Sequence, residues 1–189
     1  MSKQEGIVVR KRYFYQMNFE IEFPYNNDTV YLAYSRHYPY TEVITRMLEL
    51  ENKLMNLPKA NDEQKVITKE KKRFKLKIQR KYFTYERKLL CHTICGLPVP
   101  QIYLTGNQTN FSSTTPLQRR KVIIVTARVH PGETNASTVF EGVCQELISN
   151  YESSPLLSNF IFKMIPCMNP DGVVCGNYRS SLAGVDLNR

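Results

Sequence analysis

His130-Pro131-Gly132-Glu133 sets an imidazole and a carboxylate on either side of two residues that delay helix formation. Imidazole nitrogen and carboxylate oxygen together suit Zn²⁺, whose catalytic sites take three protein ligands, a His₂Glu set among them, and leave one position open. The two residues would supply two of the three ligands. The plain alternative is a surface turn whose Glu caps the next helix. Further on, Asn169-Pro170-Asp171-Gly172 reads as a turn, with a hairpin turn of no function as its plain alternative. It is followed by Arg179, Asn188 and Arg189, a cationic and amide set of the kind that binding a terminal carboxylate requires. Unpaired surface arginines are the alternative there.

These residues need elements to bring them together. The run KVIIVTARV, just before His130, is β-branched and apolar on both faces, the pattern of a central strand in a parallel sheet. NASTVFEGVCQELISNYE follows as a helix with Val139, Val143, Leu147 and Ile148 on one face, and NFIFKMIPCMN as a second buried strand. The resulting strand, helix and strand form a βαβ unit, whose site lies beyond the C-terminal ends of its strands. His130 and Glu133 leave one strand there, and the Asn169 turn leaves the other.

Upstream, FEIEF alternates with Phe19, Ile21 and Phe23 on one face, and a second run covers Val30 to Tyr34. With PYNNDT between them, residues 12–35 read as a β-hairpin. Thr41 is the expected N-cap of a helix over about 41–56, carrying Val43, Ile44, Met47, Leu48 and Leu50. From Leu57 to Lys72 a surface connection is expected to rise into a basic helix or extended arm, part of which, where Phe74, Leu76 and Ile78 alternate with lysines, has the pattern of a strand. KLLCHTICG and QIYLT read as short strands around a turn at LPVP.

The net charge of +9 favours an acidic partner, and most of the excess sits between Lys65 and Lys81, where Glu70 is the one acid. That run reads first as a solvated face, with steering of an acidic substrate as the sharper alternative. No stretch of about 18 apolar residues occurs, and the N-terminus has no signal-peptide pattern, so a soluble, non-secreted protein is expected. Five scattered cysteines suit a reducing compartment such as the cytosol. Cys91, His92 and Cys95 lack the paired spacing of a metal knot.

HPGET after an apolar strand, then NPDG, then GNYR with LAGVDLNR, resembles the zinc metallocarboxypeptidases, and the HPGE, GNYR and DLNR forms resemble their cytosolic branch. FEIEFPYNNDTVYLAY and YPYTEVITRMLELE resemble the same branch. The resemblance implies an α/β fold: the N-terminal part of a metallocarboxypeptidase-type mixed sheet flanked by helices over 37–189, with a basic insertion at about 52–88, preceded over 1–36 by the C-terminal part of a small β domain. It implies that His130 and Glu133 ligate Zn²⁺, that Arg179 polarises the scissile carbonyl and stabilises its oxyanion, and that Asn188 and Arg189 hold the substrate's C-terminal carboxylate. The partners implied are protein or peptide C-termini, acidic ones such as polyglutamylated tubulin, with neither membrane nor nucleic acid expected and with a cytoplasmic location near cytoskeleton or cilium. A second zinc-binding His and a glutamate base are expected downstream of Arg189, since His37 and His92 read as ordinary surface or packing residues. On this reading the chain is cut within the catalytic domain and is inactive alone. The competing readings are a non-catalytic fragment or binding protein, and a zinc deacylase of the aspartoacylase type.

Overall fold

A computed structural model describes residues 16–57, 66–68, 74–107, 116–149 and 151–189. The chain divides into two units, Met1–Leu32 and Ala33–Arg189. In the first, the described residues form no regular element apart from a turn at Tyr25–Asn27, where Asn27 takes a left-handed φ of 57°. No strand forms among residues 16–35, so the expected hairpin over 12–35 is absent there; residues 12–15 lie outside the described ones. Alternation marks one apolar face but supplies no ladder partner, and a strand needs both.

The second unit begins with helix α1, Tyr40–Asn56. It starts one residue before the expected position, because Pro39 and not Thr41 occupies the cap. The Pro39 carbonyl accepts from the N–H groups of Glu42 and Val43, with no side-chain cap bond. Tyr40, Val43, Met47, Glu51 and Leu54 form its buried stripe. Leu57, whose successor in the sequence is Pro58, is pushed to a ψ of 144° and ends the helix. There the Arg80 guanidinium donates to the carbonyls of Leu54, Met55 and Leu57 at 2.9–3.1 Å, satisfying the last turn.

Six strands follow: β1 Val66–Thr68, β2 Leu76–Gln79, β3 Phe83–His92, β4 Pro98–Gly106, β5 Lys121–Thr126 and β6 Phe160–Ile165. They form one mixed sheet in the order β1-β2-β3-β4-β6-β5, antiparallel except for β5 with β6. The expected basic arm thus contributes two strands among its described residues, and Leu76 and Ile78 bury one face of β2. The turn between β3 and β4 lies at Thr93–Leu97, not at LPVP: Gly96 (φ 77°) donates to Thr93 O and Thr93 N–H to Leu97 O. Pro98 and Pro100 belong to β4. They are tolerated because β6 pairs only with Ile102 to Thr105, leaving that side of β4 without a ladder where the prolines lack an N–H.

Helices α2 (Asn135–Ser149), α3 (Pro155–Asn159) and α4 (Pro170–Cys175) complete the unit. The main core packs Met47 and Leu54 of α1 and Phe140, Cys144 and Leu147 of α2 against Ile78, Tyr85, Ile102, Leu104, Phe162 and Met164 of the sheet. The buried seam of α2 runs through Ser137, Phe140, Cys144 and Leu147. Val139, expected on that face, stands 66% exposed because its position falls on the opposite side of the 3.6-residue turn. The βαβ order holds, with β5 and β6 parallel. Yet β5 is not central. Among the described residues it pairs only with β6, and Val122 and Ile124 are 48% and 67% exposed. Apolar character on both faces predicts cover on both, but among the described residues the Val122 and Ile124 face is left uncovered; strand order is set by pairing, on which that pattern is silent.

Under α1, Glu51 (2% exposed) accepts from Arg87 Nε at 2.7 Å and Nη2 at 3.2 Å, and from the Tyr85 hydroxyl at 2.9 Å. A buried carboxylate that loses its cation is costly to keep. Arg87→Met is expected to lower stability by about 3–5 kcal/mol, and Glu51→Leu in the same protein to recover most of the loss. Urea unfolding of the two variants measures this; a loss under about 1 kcal/mol for the single variant would mean that water reaches the pair.

Candidate active site

The parallel pairing of β5 and β6 brings both strand ends to one place. It continues past the ladder, with Ala127 N–H donating to Ile165 O, Met168 N–H to Ala127 O and Asn169 N–H to Arg128 O at 2.9–3.1 Å. The turn after β5 closes through Glu133 N–H to His130 O at 3.2 Å and Thr134 N–H to Gly132 O at 3.0 Å, and α2 begins two residues after Glu133.

Asn169-Pro170-Asp171-Gly172, read from its composition as a turn, is the start of α4, and the plain alternative of a hairpin turn does not hold. Asn169 caps it by accepting from Gly172 N–H at 3.0 Å, and Pro170 occupies the first turn, where a missing N–H costs nothing. The Asn169 amide also donates to Val129 O and Ser180 O, at 3.4 and 3.3 Å, joining both strand ends to the segment after α4. Asp171 holds the β3–β4 turn by accepting from Thr93 Oγ1 at 2.5 Å and Cys95 N–H at 3.2 Å. Two glycines let the backbones close up. Gly132 donates to Tyr178 O at 2.8 Å and a Cβ there would run into the Tyr178 ring, while a Cβ at Gly172 would meet Pro131 Cγ and, at 2.7 Å, Ser180 O.

His130 sits at the centre, 7% exposed. Its Nδ1 lies 2.9 Å from Glu133 Oε1, and its Nε2 lies 3.0 Å from Asp186 Oδ1. Arg179 donates through Nε and Nη2 to Asp186 Oδ2 at 3.4 and 3.3 Å, and its Nη1 stands 3.8 Å from Glu133 Oε1. Arg179 Nη2 and His130 Nε2, 3.2 Å apart, share the Asp186 carboxylate as two donors. A tight turn through Gly184 (φ 75°) folds the chain back, so that Asp186 bridges Ser180 and returns to Arg179. The Asp186 carboxyl is held down at about 2, first by the Asn188 N–H, with His130 and Arg179 adding to it against partial desolvation.

His130, Glu133 and Arg179 therefore come into mutual contact. Asn188 and Arg189 do not touch them directly; both are exposed and joined to the group through Asp186, by Asn188 N–H to Oδ1 at 2.9 Å and Arg189 N–H to the main-chain carbonyl at 3.3 Å. His37 and His92 are exposed. Asp186 is the residue that the sequence reading left without a role, although it opens the DLNR string.

The pair fits a divalent cation. With Asp186 as an acceptor at Nε2, the ring proton belongs on that nitrogen and Nδ1 turns its lone pair toward Glu133. A lone pair and a carboxylate oxygen 2.9 Å apart repel unless a proton or cation lies between them. Nitrogen plus carboxylate oxygen is a zinc donor set. Among the described residues no group of three His, Cys, Asp or Glu side chains is placed to hold a metal.

Cys144 and Cys167 are buried free thiols, pushed up to about 12 and about 11 chiefly by burial, and Cys91, Cys95 and Cys175 are free and exposed. None belongs to the His130 group.

Residues 87–189 match the family model described as zinc carboxypeptidase. The chain is 41% identical over 183 residues to a mouse (Mus musculus) protein named cytosolic carboxypeptidase 4, an alignment covering 95% of this chain and 14% of that protein. It is 35% identical over 179 residues to human (Homo sapiens) cytosolic carboxypeptidase 1, covering 93% of this chain and 13% of that one. The chain thus spans about a seventh of the length of these relatives. Among solved structures it is similar to a metallo-carboxypeptidase from Burkholderia cenocepacia, with a TM-score of 0.51 and 26% identity over 79% of this chain and 32% of that one. It also resembles the carboxypeptidase A of Helicoverpa armigera, with a TM-score of 0.52 over 84% of this chain and 34% of that one; at 20% identity this is a likeness of fold alone. With more than half of its residues inside the family model, and with the mixed α/β sheet of its structural neighbours, the chain belongs to the zinc carboxypeptidase family.

Proposed function

We propose that the protein carrying this chain is a zinc metallocarboxypeptidase that removes C-terminal residues, with glutamates of polyglutamylated proteins such as tubulin as its substrates. The observation that supports it best is the approach of His130 Nδ1 to Glu133 Oε1 at 2.9 Å with the Arg179 guanidinium beside them. In this reading His130 and Glu133 hold zinc, which when bound supplies a Lewis acid that activates water and polarises a carbonyl near neutral pH. Asp186 keeps the proton on Nε2 and so keeps Nδ1 available. Arg179 stabilises the negative charge that develops on the scissile carbonyl oxygen. Asn188 and Arg189 hold the substrate's terminal carboxylate, which an internal peptide bond does not offer, and this makes the enzyme an exopeptidase. The third ligand and the general base come from parts of the protein other than this chain, which by itself does not turn over.

The acidic substrate is supported by the net charge of +9, and a cytoplasmic location by the likeness to proteins named cytosolic carboxypeptidases; a place near cytoskeleton or cilium follows only from the proposed tubulin substrate. Among the described residues no helix is long and apolar enough to cross a membrane.

The test is hydrolysis by the full-length protein of peptides ending in glutamate, with free or amidated C-termini, beside N-acyl amino acids. Release of glutamate from the free peptide alone, lost with a zinc chelator and restored by Zn²⁺, is the expected outcome. Cleavage of N-acyl amino acids without release from peptides would point to a deacylase instead. In the same assay Arg179→Met is expected to lower kcat by about 10²–10³-fold. A change confined to KM would remove Arg179 from oxyanion stabilisation. Glu133→Gln is expected to weaken zinc binding, measured by competition with a chromophoric chelator; unaltered affinity would take Glu133 out of the ligand set.

A further inference from the structure

Arg128 is an unusual occupant of the strand end. It is 3% exposed, has a left-handed φ of 54°, and among the described residues forms no ion pair with a carboxylate. Non-glycine residues hold that backbone conformation only where the surroundings enforce it, and a charge is retained inside a protein only where its donors are satisfied. Here they are satisfied almost wholly by main chain. Nε and Nη2 both donate to the carbonyl of Pro131, at 2.9 and 2.5 Å, while Nη1 donates to the Tyr38 carbonyl at 2.9 Å and to Ser137 Oγ at 3.1 Å. The guanidinium also lies over the Tyr38 ring, 6.0 Å from its centroid. The Arg128 carbonyl in turn accepts from the N–H of Asn169, the cap of α4.

Each partner belongs to a different element. Pro131 lies between His130 and Glu133, Ser137 is in the first turn of α2, Tyr38 precedes α1, and Asn169 begins the segment that leads to Arg179. The Pro131 carbonyl accepts from two donors of one rigid fork.

We infer that Arg128 is a positioning residue for the metal-binding turn: its guanidinium clamps the Pro131 carbonyl to α2 and to the chain entering α1, and this fixes the separation and orientation of the His130 and Glu133 donor atoms. Lysine cannot replace it, because one ammonium on a flexible stem does not present coplanar donors to Pro131, Tyr38 and Ser137 together. The inference rests on the reading of His130 and Glu133 as zinc ligands.

The test compares the full-length protein with its Arg128→Lys and Ser137→Ala variants. Zinc affinity is measured by chelator competition on folded, metal-free protein, and the site is loaded with Co²⁺ for its visible absorption spectrum. Arg128→Lys is expected to weaken zinc binding about 10–100-fold and to shift the Co²⁺ bands, as loss of an outer contact to a metal site does. Ser137→Ala, which keeps the guanidinium and removes one acceptor, is expected to give a smaller loss in the same direction; it carries the test if the lysine variant does not fold. A lower melting temperature with unchanged zinc affinity and an unchanged Co²⁺ spectrum, in whichever variant folds, overturns the positioning role and leaves Arg128 as packing. If the wild-type protein binds no zinc, the ligand assignment fails first and this inference falls with it.

Discussion

Six residues of parallel pairing, from Lys121 opposite Phe160 to Thr126 opposite Ile165, set where everything else in the site can be. Parallel strands end at the same edge, so the segments that follow them emerge side by side although α2 and α3 separate them in sequence. His130 and Glu133 leave β5, and Asn169 and Arg179 follow β6. The three hydrogen bonds that prolong the pairing past the strands carry this registry as far as Asn169. A one-residue slip would turn the side chains of the slipped strand, and the site residues that follow it, to the opposite face of the sheet.

Irregular backbone beyond the strand ends leaves carbonyls without ladder partners, and buried arginines supply donors to several of them. Arg80 closes the last turn of α1, Arg128 holds the Pro131 and Tyr38 carbonyls, and Arg120 donates to Gly106 O at 2.6 Å and Leu157 O at 3.0 Å. Arg87 is used differently, pairing with the buried carboxylate of Glu51. A planar fork suits this use because it reaches several acceptors at once without deprotonating. The basic composition is thus partly structural, and only the exposed remainder is available to attract an acidic partner.

Where periodicity carried the information, the reading of the sequence and the fold agree. α1, the strand within the basic run, α2 and the buried β6 follow from spacing of apolar residues. Where a decision depended on pairing, they part. The alternation of Phe19, Ile21 and Phe23 meets no ladder partner among the described residues, and KVIIVT proves to be the last strand of the described sheet and not a central one. The prolines of LPVP signalled a turn, yet they stand in β4 because that stretch, among the described residues, pairs on one side only. Asn169-Pro170-Asp171-Gly172 has the composition of a turn and of a helix start alike, and the bond from Gly172 to the Asn169 side chain decided between them.

The sequence by itself determined the chemistry on offer: an imidazole and a carboxylate held three apart by Pro131 and Gly132, a βαβ unit to carry them, and Arg179 with Asn188 and Arg189 further on. Those are local patterns, legible because residue type and spacing are enough to define them. Tertiary structure alone decided which groups meet. Asp186 reaches His130 across 56 positions, and Arg128 reaches Tyr38 across 90, through a sheet edge that no local window contains. Asn188 and Arg189, adjacent in sequence to Asp186, remain exposed while it turns inward, because the chain reversal at Gly184 orients each side chain by backbone direction and not by residue type.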